Sequence, residues 1–257
     1  MLKKFFIAIV AFFVILVAVA LAIPLFFKKE INLKIKSFIN EKLNAKVNFD
    51  HFDLSLITTF PNLGIISTIL WWWVPTVLLM IPWQMLKKIQ VNVNLMSVFK
   101  GRKYQIESIY FAQPNIYAKV LKSGKANWDI MKPSPKSVDT AKTDFKVALQ
   151  KYIIENGNII YDDKSLGFYM DLHQVNHSGT GDFTQDNFTL KTQSDIEKLT
   201  VKYGSIAYLK NAKLSADLPL EVDLKKMKFT FGKNKVLLNE LILSAVGISL
   251  CQTRMTW

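Results

Sequence analysis

From Val47 onward, apolar residues fall at every second position in one segment after another. In "VNFDHFDLSL" Val47 and Phe49, and then Phe52, Leu54 and Leu56, alternate with polar neighbours; in "IQVNVNLMSV" Ile89, Val91, Val93 and Leu95 stand against Gln90, Asn92 and Asn94. Successive side chains on an extended backbone point to opposite faces, so a period of two builds half-buried strands. The same texture recurs in "YQIESIYFAQPNIYAKVLKSGKANWDI", "KYIIENGNIIYDD", "DFTQDNFTLKTQSD" and "PLEVDLKKMKFTFGKNKVLLNELILSAV", with turns marked by "KSGK", "ENGN" and "FGKN". The pattern predicts a mainly β protein whose strands form an antiparallel, meandering sheet with one apolar face.

What precedes this pattern is of another kind. "MLKK" leads into Phe5–Phe27, a run with no charged or strongly polar side chain and long enough to cross a bilayer as a helix. A cleaved signal peptide is the competing reading, because Ala18, Ala20 and Ala22 offer small residues for a cleavage site, but the apolar run is longer than an ordinary signal core. Residues 1–29 are therefore expected to be an uncleaved N-terminal transmembrane anchor. Lys3 and Lys4 favour a cytoplasmic N-terminus, so a single-pass chain would place its bulk outside, in a periplasm or its equivalent. Over residues 30–46, Ile31, Ile35, Phe38, Ile39 and Leu43 share one helical face, which predicts a short amphipathic helix.

Between Met131 and Asp144, "MKPSPKSVDTAKTD" holds two prolines and almost no large apolar residue. The expected organisation is a first β-rich segment over 47–131, a linker over 132–144 and a second β-rich segment over 145–257. "FKVALQKYI", Phe145 to Ile153, fits a helical turn or a strand equally well.

Lys and Arg outnumber Asp and Glu by 33 to 20, a balance that favours anionic partners such as phospholipid headgroups. The lysines are dispersed and no compact basic and aromatic motif is present, so nucleic acid is not an expected partner. The single cysteine, Cys251, rules out an intramolecular disulfide and a cysteine-built zinc site. Phosphate-binding glycine loops, nucleophile elbows and paired-histidine zinc helices are missing from the text. "HQVNH" sets His173 and His177 four apart, but in turn-and-strand surroundings without a partnering acidic or cysteine cluster, and they read as surface histidines. Asp162 and Asp163 are adjacent on a strand, point to opposite faces and read as a hairpin tip. His51 and Asp53 share a strand face and read as the solvated side of a half-buried strand. No catalytic, metal or cofactor-binding residue is assigned, and no cofactor is expected.

Taken in order, several phrases resemble the N-terminal part of the AsmA family of Gram-negative envelope proteins. They are the N-terminal anchor, "FDLSLITTFPNLGI" with Phe60 and Pro61, "VNVNLMSVFKGRKYQIESIYFAQPNIYAKVLKSGKANWDI" closing on Gly124, Asn127 and Trp128, "IIENGNIIYDDKS", and "GTGDFTQDNFTLKT". The resemblance implies a long curved sheet with an apolar inner face, held at the inner membrane and acting without catalysis in outer-membrane assembly and in phospholipid transport between membranes. Its partners would be inner-membrane lipids, acyl chains in an apolar β groove, and envelope proteins. Phe60, Pro61, Gly124, Asn127 and Trp128 would be structural. Family members are usually far longer, so a conduit crossing the periplasm does not follow. The alternatives are a membrane-tethered scaffold that recruits partners by strand addition, and a non-functional truncated fragment.

Residues 66–86 depart from this texture. "STILWWWVPTVLLMIPWQML" holds four of the six tryptophans, and the 21 uncharged residues from Ile65 to Met85 would suffice for a second span, interrupted by Pro75 and Pro82. Where the resemblance calls for strand, turn and strand, the codons offer another account. "WWWV" is necessarily TGGTGGTGGGTN, which reads as (Val/Leu/Met)-Val-Val-Gly one base earlier, and continuation in that register yields "VVVGTD…DDTLAD". Residues 247–257 behave similarly. A second span, a folded segment and an out-of-frame translation are the three readings of 66–86.

Overall fold

The computed structural model describes residues 46–56, 58–73, 84–100, 105–129, 149–244 and 247–250. The expected anchor over 1–29, the amphipathic helix over 30–46 apart from its last residue, and the linker over 132–144 lie outside them. Among the described residues, no helix is long and apolar enough to cross a membrane.

The alternating text becomes strands that join into one 13-stranded sheet. They are β1 (Lys46–Ser55), β2 (Asn62–Trp73), β3 (Gln84–Asn94), β4 (Ile106–Ala112), β5 (Asn115–Val120), β6 (Lys151–Asp163) and β7 (Phe168–Thr180). β8 (Asn187–Tyr203), β9 (Ile206–Asp223), β10 (Lys228–Phe231), β11 (Lys235–Leu238), β12 (Leu241–Leu243) and β13 (Gly247–Leu250) complete it. A six-residue helix, α1 (Leu95–Lys100), follows β3. Most neighbours are consecutive in the chain and antiparallel, as a meander requires. Gly204, in the left-handed region at φ 59°, makes the two-residue turn between Tyr203 and Ile206, a position where a Cβ would be strained.

The purely antiparallel expectation is corrected at the middle of the sheet. β6 runs parallel to both β4 and β5, so the sheet is mixed. Parallel neighbours need a long connection, and the residues between Val120 and Lys151 provide it by returning the chain to the end from which β4 set out. β4 and β5 pair successive parts of β6, Ser108–Ala112 against Lys151–Glu155 and Asn115–Val120 against Asn158–Asp163. They form one long strand broken at Gln113 and Pro114. The sheet thus continues across the boundary expected at 132–144, and in "FKVALQKYI" regular strand begins at Lys151.

The tryptophan-rich stretch enters the same sheet. β2 carries it to Trp73, paired on one side with β1 (Val47 with Trp72) and on the other with β3 (Trp72 with Gln84). Strand partners on both sides satisfy the backbone between sheet neighbours, which rules out a single helical span from Ile65 to Met85. Residues 74–83 are not among those described.

Register irregularities line up across the strands. Asn156 in β6, Gln174 in β7 and Asn211 in β9 have left-handed backbones at φ 52° and mark bulges, and Gln113 at φ 47° marks the break between β4 and β5. On β8, Glu197 and Lys198 are consecutive exposed residues at the corresponding step. On the opposite face the same line holds the deepest apolar packing: Pro114, Gly157, Val175, Leu199 and Ala212 are all buried. Bulges bend a strand and increase its twist. Amides exposed outside and aliphatic groups buried inside are the pattern of a sheet bent toward its apolar face.

Candidate functional site

The apolar face is the largest feature with functional potential. One row of it crosses five strands through Ile116, Ile159, Leu172, Leu199 and Ala212, and the backbone pairing of this row continues to Gln84, Trp72 and Val47. Neighbouring rows add Ile154 and Tyr161 from β6, Met170 and Val175 from β7, Leu190 and Ile196 from β8, and Leu214, Leu218 and Val222 from β9. Along β8 the alternation is strict, with Phe188, Leu190, Thr192, Ser194 and Ile196 turned inward and Asn187, Thr189, Lys191, Gln193 and Asp195 turned out. Ile159, Leu172, Ile196 and Leu214 remain half-buried. Among the described residues no second layer of strands covers this face. Half-exposed aliphatic side chains forgo part of the roughly 1.5–3 kcal/mol that full burial of each contributes.

Aromatic rings gather at both ends of the face. At one end Trp128 stacks on Tyr161 with centroids 6.0 Å apart, and Tyr161 lies 6.0 Å from Phe168. At the other, Tyr152 contacts His177 at 5.4 Å and Phe183 at 6.2 Å, and Phe183 contacts Phe188 at 4.9 Å. The Tyr152 ring lies over Gly179, where any Cβ would overlap it. His177 is held by the Tyr152 hydroxyl at Nε2, 3.0 Å, and by Ser194 Oγ at Nδ1, 2.7 Å. Burial holds its pKa below the ordinary histidine value and favours the neutral ring, which meets two hydroxyls with one donor and one acceptor nitrogen.

The outer face is polar, and at the bend it forms an open hollow of about 550 Å³ lined by Gln113, Asn115, Asn156, Asn158, His173, Gln174, Lys198 and Asn211. Its amides are occupied in fixing the bulges. Asn158 Nδ2 donates to Asn115 Oδ1 at 2.9 Å, the Gln174 amide donates to Asn158 Oδ1 at 3.3 Å, and the Asn156 amide donates to Asn176 Oδ1 at 3.0 Å. This hollow follows the line of bulges.

The residues singled out by sequence take separate places. His173 and His177 both lie on β7, but the bulge at Gln174 turns them to opposite faces. His173 is exposed beside Asp171 at 3.0 Å, whereas His177 is half-buried on the apolar face, so the expectation of two surface histidines is corrected. Asp162 and Asp163 do face opposite ways, and both are buried. Asp162 accepts from Tyr117 at 3.0 Å and pairs with Lys164 at 2.9 Å. Asp163 accepts from Ser165 Oγ at 2.6 Å, the amides of Ser165 and Leu166, and the Tyr161 hydroxyl. The Ser165 hydroxyl, with the other donors, holds the Asp163 carboxyl below its usual range. These groups brace the β6–β7 hairpin. His51 and Asp53 take alternate positions on β1, opposite Thr68 and Ile66.

Phe60 and Pro61 form the β1–β2 turn, joined by a cis peptide bond. Asn127 acts as an added piece of strand on β5: its Nδ2 donates to Tyr117 O at 2.7 Å, its Oδ1 accepts from the Lys119 amide at 2.9 Å, and its own amide donates to Lys119 O. Gly124, at φ 81°, permits the turn that brings it back, and Trp128 then reaches Tyr161. Among the described residues no group of three or more His, Cys, Asp or Glu is placed to hold a metal ion. The turn expected at "ENGN" is corrected, because Asn156 and Gly157 form a bulge inside β6, and the bend that this bulge shares with Gln113, Gln174 and Asn211 was missed by sequence reasoning.

No protein-family model matches the chain, nor does any curated protein or solved structure.

Proposed function

We propose that this is an inner-membrane-anchored periplasmic protein of the AsmA type, which carries phospholipid acyl chains along its apolar β face in outer-membrane assembly and lipid transport, without catalysis. The observation that carries this reading is an apolar face continuous over many strands and left half-buried. Such a face stabilises an acyl chain by removing both from water, while phosphate and headgroup remain at the polar margins. The bend toward the apolar side gives the face the concavity of a trough. The motif residues of the resemblance serve the same end: Asn127 and Trp128 close one end of the sheet and leave the face open.

The test is photocrosslinking on the full chain in its membrane. A photoreactive amino acid at Leu172 or Ile196, both inward, is expected to yield phospholipid adducts by mass spectrometry, and one at Lys191 or Asp195, both outward, is not. Equal lipid labelling on the two faces, or none on the inner one, overturns the reading.

A second reading, an envelope scaffold acting by strand addition, is favoured by one observation. Among the described residues β12 pairs only with β11 and leaves Leu241, Ile242 and Leu243 exposed. The same experiment with the probe at Ile242 separates the two, because a scaffold yields protein adducts there and no lipid adducts at Leu172.

A further inference from the structure

We propose that the sheet end formed by the loop 121–129 and the hairpin turns at 164–167 and 204–205 docks on the surface of an anionic bilayer. The inference rests on the membrane tether of the proposed function and adds a second, reversible contact made by the folded sheet.

Strand directions place these turns. β1 starts at Lys46, so residues 1–45 with the apolar run Phe5–Phe27 join the sheet at the end where β1 begins. Followed through the pairings, β5 and β6 run toward that end and stop at Val120 and Asp163, β8 stops there at Tyr203, and β7 and β9 depart from it. The row through Val47 reaches Leu172 and Leu199, and the two hairpins project roughly 13 Å beyond it. These turns therefore lie at the sheet end to which the apolar run is joined.

Their chemistry fits that surface. Leu166 is 64% exposed, Tyr203 57%, Ile206 58% and Tyr208 63%, all on two neighbouring hairpins. Around them stand exposed Lys122, Lys125, Lys202 and Lys210, with Lys164 paired to Asp162 at 2.9 Å, whereas Asp162 and Asp163 are buried, leaving Asp129 as the exposed carboxylate among the described residues of these turns. Tyrosine beside aliphatic tips, ringed by lysine, is the composition that seats in headgroups and is drawn to anionic lipid. At the opposite end Leu224 is exposed beside Asp186 and Asp223, where Lys225 is engaged by Asp186 at 2.8 Å and Lys226 by Asp223 at 3.6 Å, while Phe60 and Met96 are exposed several strands away, on the β1–β2 turn and on α1.

The experiment uses the full chain carrying Cys251→Ser and one new cysteine, Leu166→Cys, Tyr208→Cys or Phe60→Cys, labelled with an environment-sensitive dye. The chain is reconstituted into phosphatidylethanolamine and phosphatidylglycerol vesicles containing a spin-labelled lipid quencher. Quenching at 166 and 208 is expected to be several-fold greater than at 60. It should fall toward the value at 60 when Lys122, Lys125, Lys202 and Lys210 are changed to Glu, or when the vesicles are phosphatidylcholine alone. Equal quenching at the three sites, or quenching indifferent to both charge changes, overturns the docking surface and leaves the tether standing. A chain that does not float with the vesicles overturns both.

Discussion

His177 shows how one side chain on an apolar face responds to pH. Its folded pKa lies below the unfolded value of about 6.5, so the unfolded chain binds the extra proton first and stability falls as pH drops below about 6.5. His177→Gln, which can still meet Tyr152 and Ser194, is expected to flatten this part of the acid limb in thermal unfolding followed by circular dichroism. The limb below about pH 4 should persist, because there the depressed carboxyls of Asp163, Asp182 and Asp223 take up protons and release their hydrogen bonds. Tyr117 gives the opposite signature. Desolvation, with the bond to Asp162 second, pushes its phenol up to about 12, so its contribution to stability is present below pH 10 and lost as pH rises toward 12. In an ultraviolet titration Tyr117→Phe should remove one late-ionising phenol and leave the early ones unchanged.

At the scale of elements, the bend depends on residues that tolerate a left-handed backbone. Asn156 at φ 52° is one, and a β-branched residue there meets a penalty of roughly 1–2 kcal/mol. Asn156→Val is expected to lower the unfolding midpoint accordingly, and Asn156→Gly to hold it near wild type. On the other side of the bend, Leu199→Ala should cost about 2–4 kcal/mol by opening a cavity where the sheet packs most closely. The alternation of β8 and β9 was legible in the sequence because a period of two is a local property of the backbone. The bulges were not, because one added residue per strand leaves local text that reads as polar strand or, at "ENGN", as a turn.

For the whole molecule, the tryptophan-rich stretch turns on how the gene encodes residues 66–86. The strand assignment of Asn62–Trp73 and Gln84–Asn94 fits a folded segment. It does not bear on the reading frame, since the shifted register also writes strands at these positions. Sequencing the nucleotides under Ser67 to Leu86 is expected to show a compensating pair of frame changes, and a stop codon in the other frame would end that account.

By itself the sequence determined the strands, the two-faced character of the sheet, most of its turns and the basic charge, since each follows from side-chain period, turn chemistry or composition within a few residues. Only the tertiary structure decided the rest: that β6 returns parallel to β4 and β5, that His173 and His177 part to opposite faces, and that bulges align into a bend with Val175 and Leu199 beneath it. A period of two states which face a residue takes, but neither its neighbouring strand nor the register between them. Those depend on where the chain comes back after a long connection, and on single-residue slips that only a paired strand makes visible.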